Sequence, residues 1–315
     1  MSKCISIVIP AYNEQELIPI AYEAITDAIK DVDMDHEIIF VDDGSSDSTF
    51  SQIELLSGEG HCDVKGISFS RNFGKESAIF AGLKEARGDC VVVMDCDLQH
   101  PPATIIDMLN YWSEGYEIVE GVKASRGHEG PIHRLLAKFF YWLIGKYSKI
   151  DMEDASDFIL LDRTVVDSLL AMPEHAPFFR GLSRWVGYKS VKVPFEVADR
   201  TIGSSKWSFS ALIKYAVHNI TIFSSGPLQI VTAMGLIFII ASVFIGGEAL
   251  FRYFTGTALG GFTTVITLIL LSSGIIMISL GIIGLYIAQI YDEVKARPRY
   301  IIQKRTSNTD AKKDV

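Results

Sequence analysis

The run Cys90-Val91-Val92-Val93-Met94-Asp95-Cys96-Asp97 decides how this chain is read. Its apolar, largely β-branched first half predicts a buried strand. Asp95 and Asp97 then stand one residue apart at the carboxyl end of that strand, where open α/β sheets bind ligands. Two hard oxygen donors in such a place suit Mg²⁺ or Mn²⁺ held against a diphosphate. Cys96 between them carries a soft sulfur, a poor partner for either cation, and reads as a small filler turned to the opposite face.

Working outward, strands and helices alternate. Ile5–Pro10, Glu37–Val41, Val64–Ser70 and Val91–Asp95 read as strands, and Glu14–Lys30, Asp47–Leu56, Gly74–Ala86 and Ala103–Ser113 as helices. This order predicts an α/β domain with a mostly parallel sheet and helices on both faces. Glu117–Val122 and Val191–Phe195 add strands at one side. After the first strand, Pro10-Ala11-Tyr12-Asn13-Glu14 forms a turn whose backbone and Glu14 carboxylate can cradle a nucleoside. After the second, Val41-Asp42-Asp43-Gly44-Ser45-Ser46-Asp47 offers acidic groups of the kind that accept hydrogen bonds from base or ribose. Ser46 or Asp47 caps the next helix, which accounts for Asp47 without a ligand. The chain has no GxGxxG after its first strand and no GxxxxGK[ST], which argues against a dinucleotide cofactor and a P-loop NTPase.

The composition is 49% hydrophobic with mean hydropathy +0.25, and the excess is localised. Residues 226–247 and 253–291 contain no Asp, Glu, Lys or Arg. Each is long enough for a membrane helix of about 20 residues, placed here at about 227–250 and 262–287. Three domains follow: a catalytic domain over 1–225, a two-helix membrane domain over 226–291 and a basic tail over 292–315. Ile132–Ile150 and Ser208–Phe223 have helical apolar stripes, and the first sets Arg134, Lys138, Lys146 and Lys149 on other faces. Both (about 132–150 and 208–223) read as amphipathic helices at the membrane interface. The link between the spans has Arg252 as its only basic residue, whereas seven Lys and Arg follow Tyr291. The positive-inside rule puts both termini and the catalytic domain on the cytoplasmic side of a cell inner membrane. Cys4, Cys62, Cys90 and Cys96 form no CxxC pair and fit a reducing compartment. Residues 1–122 hold 23 acidic against 7 basic residues, a balance that excludes nucleic acid as a partner. The seven histidines show no HExxH or other zinc spacing.

Taken together, Val8-Ile9-Pro10-Ala11-Tyr12-Asn13-Glu14, Val41-Asp42-Asp43-Gly44-Ser45-Ser46-Asp47, Arg71-Asn72-Phe73-Gly74-Lys75 and Asp95-Cys96-Asp97-Leu98-Gln99-His100-Pro101-Pro102 resemble the family-2 glycosyltransferases. Within that family the chain is similar to the polyprenyl-phosphate sugar synthases, of the dolichyl-phosphate mannose synthase and bactoprenol glucosyltransferase kinds. The likeness extends to about Arg305. It implies a GT-A fold, a nucleotide-sugar donor, Mg²⁺ or Mn²⁺, and inverting transfer of one sugar to a lipid phosphate. By the same resemblance Asp95, Asp97 and Gln99 hold the metal. Pro10, Tyr12, Glu14, Asp43, Lys75, Asp95 and Gln99 bind the donor. Asp157, in Ala155-Ser156-Asp157-Phe158, stands near the sugar and counts with Asp97, Arg200 and Lys206 as catalytic. Arg126, Arg134, Arg200, Ser205 and Lys206 receive the acceptor phosphate. Arg184-Trp185 matches the end of the Gln-x-x-Arg-Trp motif of processive polysaccharide synthases, but Gly181 stands at the Gln position and two spans are too few for a polymer channel.

The chemistry fits those roles. Breaking a sugar–phosphate bond leaves a nucleotide diphosphate with growing negative charge, which a divalent cation stabilises. The acceptor is a phosphate monoester with a second pKa of about 6, largely dianionic at neutral pH and in little need of a general base. Asp157 is therefore expected to orient the sugar or metal. UDP-glucose is the first expectation for the donor, followed by UDP-GlcNAc, a modified aminosugar and GDP-mannose. The acceptor is undecaprenyl phosphate, and the product would serve O-antigen, teichoic acid or another envelope glycan. The reading adds a separate flippase and a downstream glycosyltransferase as partners, and self-association into a homo-oligomer is implied for some relatives. A non-catalytic membrane scaffold would have lost metal or acceptor residues, and both sets are intact. A transport role would need a polar path, and the spans offer a single acidic residue, Glu248, near one end.

Overall fold

A computed structural model describes residues 3–58, 64–124, 156–174, 178–196, 226–256 and 261–306. In chain order its elements are β1 (Cys4–Ala11), α1 (Leu17–Ile29), β2 (Asp35–Asp42), α2 (Thr49–Gly58), β3 (Val64–Phe69), α3 (Lys75–Glu85), β4 (Cys90–Val93), α4 (Thr104–Ser113), β5 (Ile118–Lys123), β6 (Ile159–Asp162), α5 (Arg163–Leu170), α6 (Phe179–Trp185), β7 (Ser190–Phe195), α7 (Gly226–Phe254), α8 (Phe262–Val294) and β8 (Ile302–Arg305). The strands form one eight-stranded sheet in the order β7-β5-β6-β4-β1-β2-β3-β8. Pairs β4-β1, β1-β2 and β2-β3 are parallel. β6 runs antiparallel to both β4 and β5, and β7 joins β5 in parallel.

Strand β1 is buried along almost its whole length, as expected of a strand with helices on both sides. Its order in the sheet is what positions the site. The chain winds outward from β1 through β2 to β3, then jumps back over β1 to place β4 on the other side. The carboxyl ends of β1 and β4 therefore flank a topological switch point, the crevice where sheets of this kind take ligands. The core is built on Ile5, Ile7 and Ile9 of β1, Phe40 of β2, and Val92 of β4, with Phe158 immediately before β6.

At the amino end of the sheet sits a buried polar cluster. Glu37 accepts from the Ser6 hydroxyl at 2.6 Å and from the Arg87 backbone N–H at 2.6 Å, and it pairs with Lys65. Burial alone would raise the Glu37 pKa, but these hydrogen bonds outweigh it and hold the carboxyl below its ordinary range. Strands β1, β2 and β3 are tied together there.

Four elements differ from the sequence expectation, among them α6. β6, with the helix α5 directly after it, has no counterpart there: Ile159-Leu160-Leu161-Asp162 is four residues long, too short to show a period. Strand β8 falls inside the segment read from sequence as a basic tail over 292–315. Arg305 is the last residue of β8, and Thr306 bonds Gly66 in both directions, its N–H to the Gly66 carbonyl and its hydroxyl from the Gly66 N–H. Ile302-Gln303-Lys304-Arg305 is polar because it is an edge strand, so hydrophobic patterning does not reveal it. Residues 297–306 accordingly belong with β1–β7 in one compact unit, although the boundary drawn from sequence sets them apart. A second unit contains α7 and α8. These two helices hold the apolar segments Val231–Glu248 and Leu271–Val294, each long and apolar enough to cross a membrane. The amphipathic segments 132–150 and 208–223 lie outside the described residues.

Lys65→Met is expected to strand the Glu37 charge in a buried site and to lower stability by about 3–5 kcal/mol. Thermal unfolding of the purified protein measures this, and Lys65→Met combined with Glu37→Leu should recover most of the loss.

Candidate active site

The carboxyl ends of β1, β2 and β4 and the start of α3 enclose a cavity of about 280 Å³. It is lined by Pro10, Ala11, Tyr12, Glu14, Asp43, Asn72, Gly74, Lys75, Ala78, Asp95, Cys96 and Asp97. Of the residues expected at a donor or metal, Pro10, Tyr12, Glu14, Asp43, Lys75, Asp95 and Asp97 therefore share one wall system. Gln99 does not line it; its backbone N–H donates to Asp97 Oδ1 at 3.1 Å. Arg126, Arg134, Arg200, Ser205 and Lys206 lie outside the described residues.

The loops that form the walls are braced from behind. The Asn13 N–H donates to the Ser45 hydroxyl at 2.8 Å, the Ser46 N–H to Asn13 Oδ1 at 2.9 Å, and the Glu14 N–H to the Thr49 hydroxyl at 2.9 Å. Asp47 accepts from the Thr49 N–H and hydroxyl, a helix cap as its position predicts. Gly44 has φ +68°, and a Cβ there would lie 2.4 Å from the Arg71 backbone carbon, so the β2 turn and the Arg71 segment touch only because this residue is glycine. Asp43 is buried and uses both carboxylate oxygens on that segment, accepting from Phe73 N–H at 2.7 Å and Gly74 N–H at 2.9 Å. Two non-glycine residues of the loops around the cavity adopt left-handed backbone, Asn13 at φ 54° and Leu98 at φ 55°. Asn tolerates this conformation and Leu does not, so the Asp97-Leu98-Gln99 turn is strained at the point where it presents Asp97.

Electrostatically the site is a chain of opposite charges. Lys75 Nζ lies 2.5 Å from Asp95 Oδ1 and 2.6 Å from Asp157 Oδ2. Arg180 grips the same Asp157 in a fork, with Nε at 2.5 Å and Nη2 at 2.7 Å. Burial would raise the Asp157 pKa, but Lys75 and Arg180 overcome it and hold the carboxyl far below its usual range. Burial likewise opposes the Lys75 charge, and Asp95 and Asp157 outweigh it, so this ammonium stays protonated. Lys75 and Arg180 thus favour Asp157 as the anion. Glu14 is pushed the other way, to about 7, by burial and then by Asp95 and Asp97. Burial, then Glu14 and Asp97, raise the Cys96 thiol; the residue is buried as expected of a filler, but it lines the cavity beside Glu14 and is not turned to the opposite face.

Asp95 and Asp97 fit a hard divalent cation of limited protein coordination. Among the described residues no group of three or more His, Cys, Asp or Glu is arranged to hold a metal. Mg²⁺ and Mn²⁺ need no such cage, since they are commonly bound by one or two carboxylates with substrate phosphates and water completing the shell.

Sequence reasoning did not name Arg180 or Glu76. Arg180 stands one residue before Gly181, just outside the stretch set aside as a partial Gln-x-x-Arg-Trp match. Arg184 of that stretch pairs instead with Glu120, a buried carboxylate on β5. Glu76 accepts from the Phe179 N–H at 2.8 Å, which fixes the start of α6 and with it Arg180. Burial, then Asp157, raises Glu76 to about 7.

This sheet, with paired carboxylates at its switch point, is the GT-A fold of a glycosyltransferase, and the comparisons with known proteins agree. Residues 6–162 match the model of "Glycosyl transferase family 2". The chain belongs to that family. It is 39% identical over 304 residues to a prophage bactoprenol glucosyl transferase homolog of Escherichia coli, covering 95% of this chain and 98% of that protein. A bactoprenol glucosyl transferase of Shigella phage SfII is 37% identical, with 95% and 97% covered. An uncharacterized glycosyltransferase of Bacillus subtilis is 39% identical, with 95% and 93% covered. Among solved structures, glucosyl-3-phosphoglycerate synthase of Mycobacterium tuberculosis in complex with Mn²⁺, UDP and phosphoglyceric acid shares the fold. It has TM-score 0.51 at 21% identity and covers 70% of this chain and 76% of its own.

Two outcomes follow from this geometry. Arg180→Ala should lower turnover about 10- to 100-fold, because Asp157, which holds Lys75, loses its forked partner, and Arg180→Lys should not restore it because it lacks the fork. Glu76 has a raised pKa in the folded state, so folding binds a proton as pH passes from the usual carboxylate range up to about 7, and stability falls over that window. Glu76→Gln should therefore melt higher than the parent at pH 8 and close to it at pH 4.5, as a thermal scan at both values will report.

Proposed function

We propose that this enzyme transfers one glucosyl residue from UDP-glucose to undecaprenyl phosphate at the cytoplasmic face of the membrane, with inversion at the anomeric carbon. The observation that carries the reading is the placement of Asp95 and Asp97 across one cavity from Tyr12, Glu14 and Asp43. A nucleoside can enter between the β1 and β2 turns, with the half-exposed Tyr12 ring offered to the base. Its diphosphate then reaches the carboxylate pair. Asp95 and Asp97 would hold Mg²⁺ or Mn²⁺ there, and the ion would neutralise the charge that grows on the departing UDP. The related structure with Mn²⁺ and UDP, and the relatives named glucosyl transferases, support that choice of donor and metal.

The transfer itself asks little acid–base work of the protein. An oxygen of the acceptor phosphate bonds to the anomeric carbon as the bond from that carbon to the UDP oxygen breaks. The nucleophile is already an anion at neutral pH. Asp157, favoured as the anion, keeps Lys75 and Arg180 in place beside the donor. Arg126, Arg134, Arg200, Ser205 and Lys206 remain the candidates for binding the acceptor phosphate, on the family resemblance. Two helices of membrane length fit a lipid acceptor, and the basic residues after Tyr291 favour a cytoplasmic active site. A separate flippase would then carry the lipid-linked sugar across for use in an envelope glycan.

Purified protein in detergent, given undecaprenyl phosphate, Mg²⁺ or Mn²⁺ and a panel of radiolabelled nucleotide sugars, should move label into the organic phase from UDP-glucose. EDTA should abolish this, and Asp95→Ala should reduce it about 100-fold or more. Label from UDP-GlcNAc or GDP-mannose instead would replace the donor. Absence of any lipid-linked label from folded protein would favour the scaffold reading.

A further inference from the structure

The chain that follows α8 does more than close the sheet. Ile301 accepts from the Ser70 N–H at 3.0 Å, and the Tyr300 ring stacks on Phe69 with centroids 4.9 Å apart and planes 10° from parallel. Phe69 is fully buried and meets Phe73 edge-on at 5.8 Å, and the Arg71 guanidinium lies over the other ring at 4.1 Å from its centroid. Phe73 and Gly74 are the two residues whose N–H groups occupy Asp43, and Asn72, Gly74 and Lys75 line the cavity. One residue earlier, Arg299 lies over Phe80 at 4.8 Å and donates to the Met172 carbonyl at 2.6 Å. Phe80 packs edge-on against Phe179, the first residue of α6, which carries Arg180 to Asp157. Two adjacent residues of the return segment thus back two different walls of the site. Gly66 is what lets this segment approach: a Cβ there would sit 2.7 Å from the Thr306 methyl.

We propose that Tyr300 is a positioning residue for donor binding, acting through Phe69 and Phe73 on the Arg71–Lys75 wall, so that the segment after the second apolar helix completes the nucleotide pocket. This rests on the donor reading given above. A stacked aromatic pair contributes about 0.5–1.5 kcal/mol beyond burial, so loss of the ring should weaken donor binding about 2- to 10-fold if most of that ordering reaches the wall.

The test is UDP binding with Mn²⁺, and donor kinetics, on full-length protein in detergent for the parent, Tyr300→Ala, Tyr300→Leu and Tyr300→Phe, each with its melting temperature. The expected result is a raised UDP Kd and donor KM in the Ala and Leu variants, with kcat at saturating donor within about 2-fold and parent values restored by Phe, which keeps the stack. Hydrogen exchange at residues 70–74 should rise in Tyr300→Ala and Tyr300→Leu, with Tyr300→Phe like the parent. Leu retains apolar bulk, so it serves if Ala fails to fold. Parent-like Kd and KM in Tyr300→Leu, or a Phe variant no better than Leu, would overturn the proposal. Failure of the parent to bind UDP would instead overturn the donor reading on which it stands.

Discussion

One ammonium group holds the site together. Lys75 begins α3, Asp95 follows β4 and Asp157 precedes β6, and the three meet within ion-pair distance although 82 residues separate Lys75 from Asp157. Each of these charges would be costly to bury alone. Together, with Arg180 closing the far side, they fix where the carboxyl end of β4 stands relative to the start of α3. That relation defines the cavity. The same pairing divides the acidic groups by function: Asp157 is favoured as an anion, whereas Glu14 and Glu76, lacking such partners at close range, are raised towards neutrality.

Around that centre the protein spends backbone and side-chain hydrogen bonds on loops. Asp43 is the clearest case. At a strand end an acidic residue suggests a contact to base or ribose, yet both Asp43 oxygens hold the Phe73 and Gly74 amides. Its first effect on a nucleotide is through the wall it shapes. The strained Leu98 turn and the Gly44 contact serve the same end, because a site that would hold a diphosphate against a cation, as proposed, tolerates little displacement of its carboxylates.

The unit of two apolar helices and the catalytic unit are also linked by chain order. The catalytic fold is not finished when the chain enters its apolar helices, because β8 is added to the edge of β3 only after α8. An open β3 edge would expose unpaired backbone groups, and β8 covers it with a polar outer strand.

The sequence by itself determined the alternation of strands and helices, the two membrane-length helices, and the residues Tyr12, Glu14, Asp43, Asp95 and Asp97 at the carboxyl ends of strands. These are legible because burial on both faces of a parallel strand and the length of an apolar span leave direct marks on composition and period. The family resemblance also placed Lys75 and Asp157 near the donor and the sugar. Only the tertiary structure decided that Lys75 bridges Asp95 to Asp157, that Arg180 and Glu76 belong beside them, that Gln99 stands outside the cavity, and that Ile302–Arg305 is a strand. The reason is physical. A polar edge strand of four residues has no hydrophobic period, and an ion pair between elements far apart in sequence exists only once the sheet has folded them to the same edge.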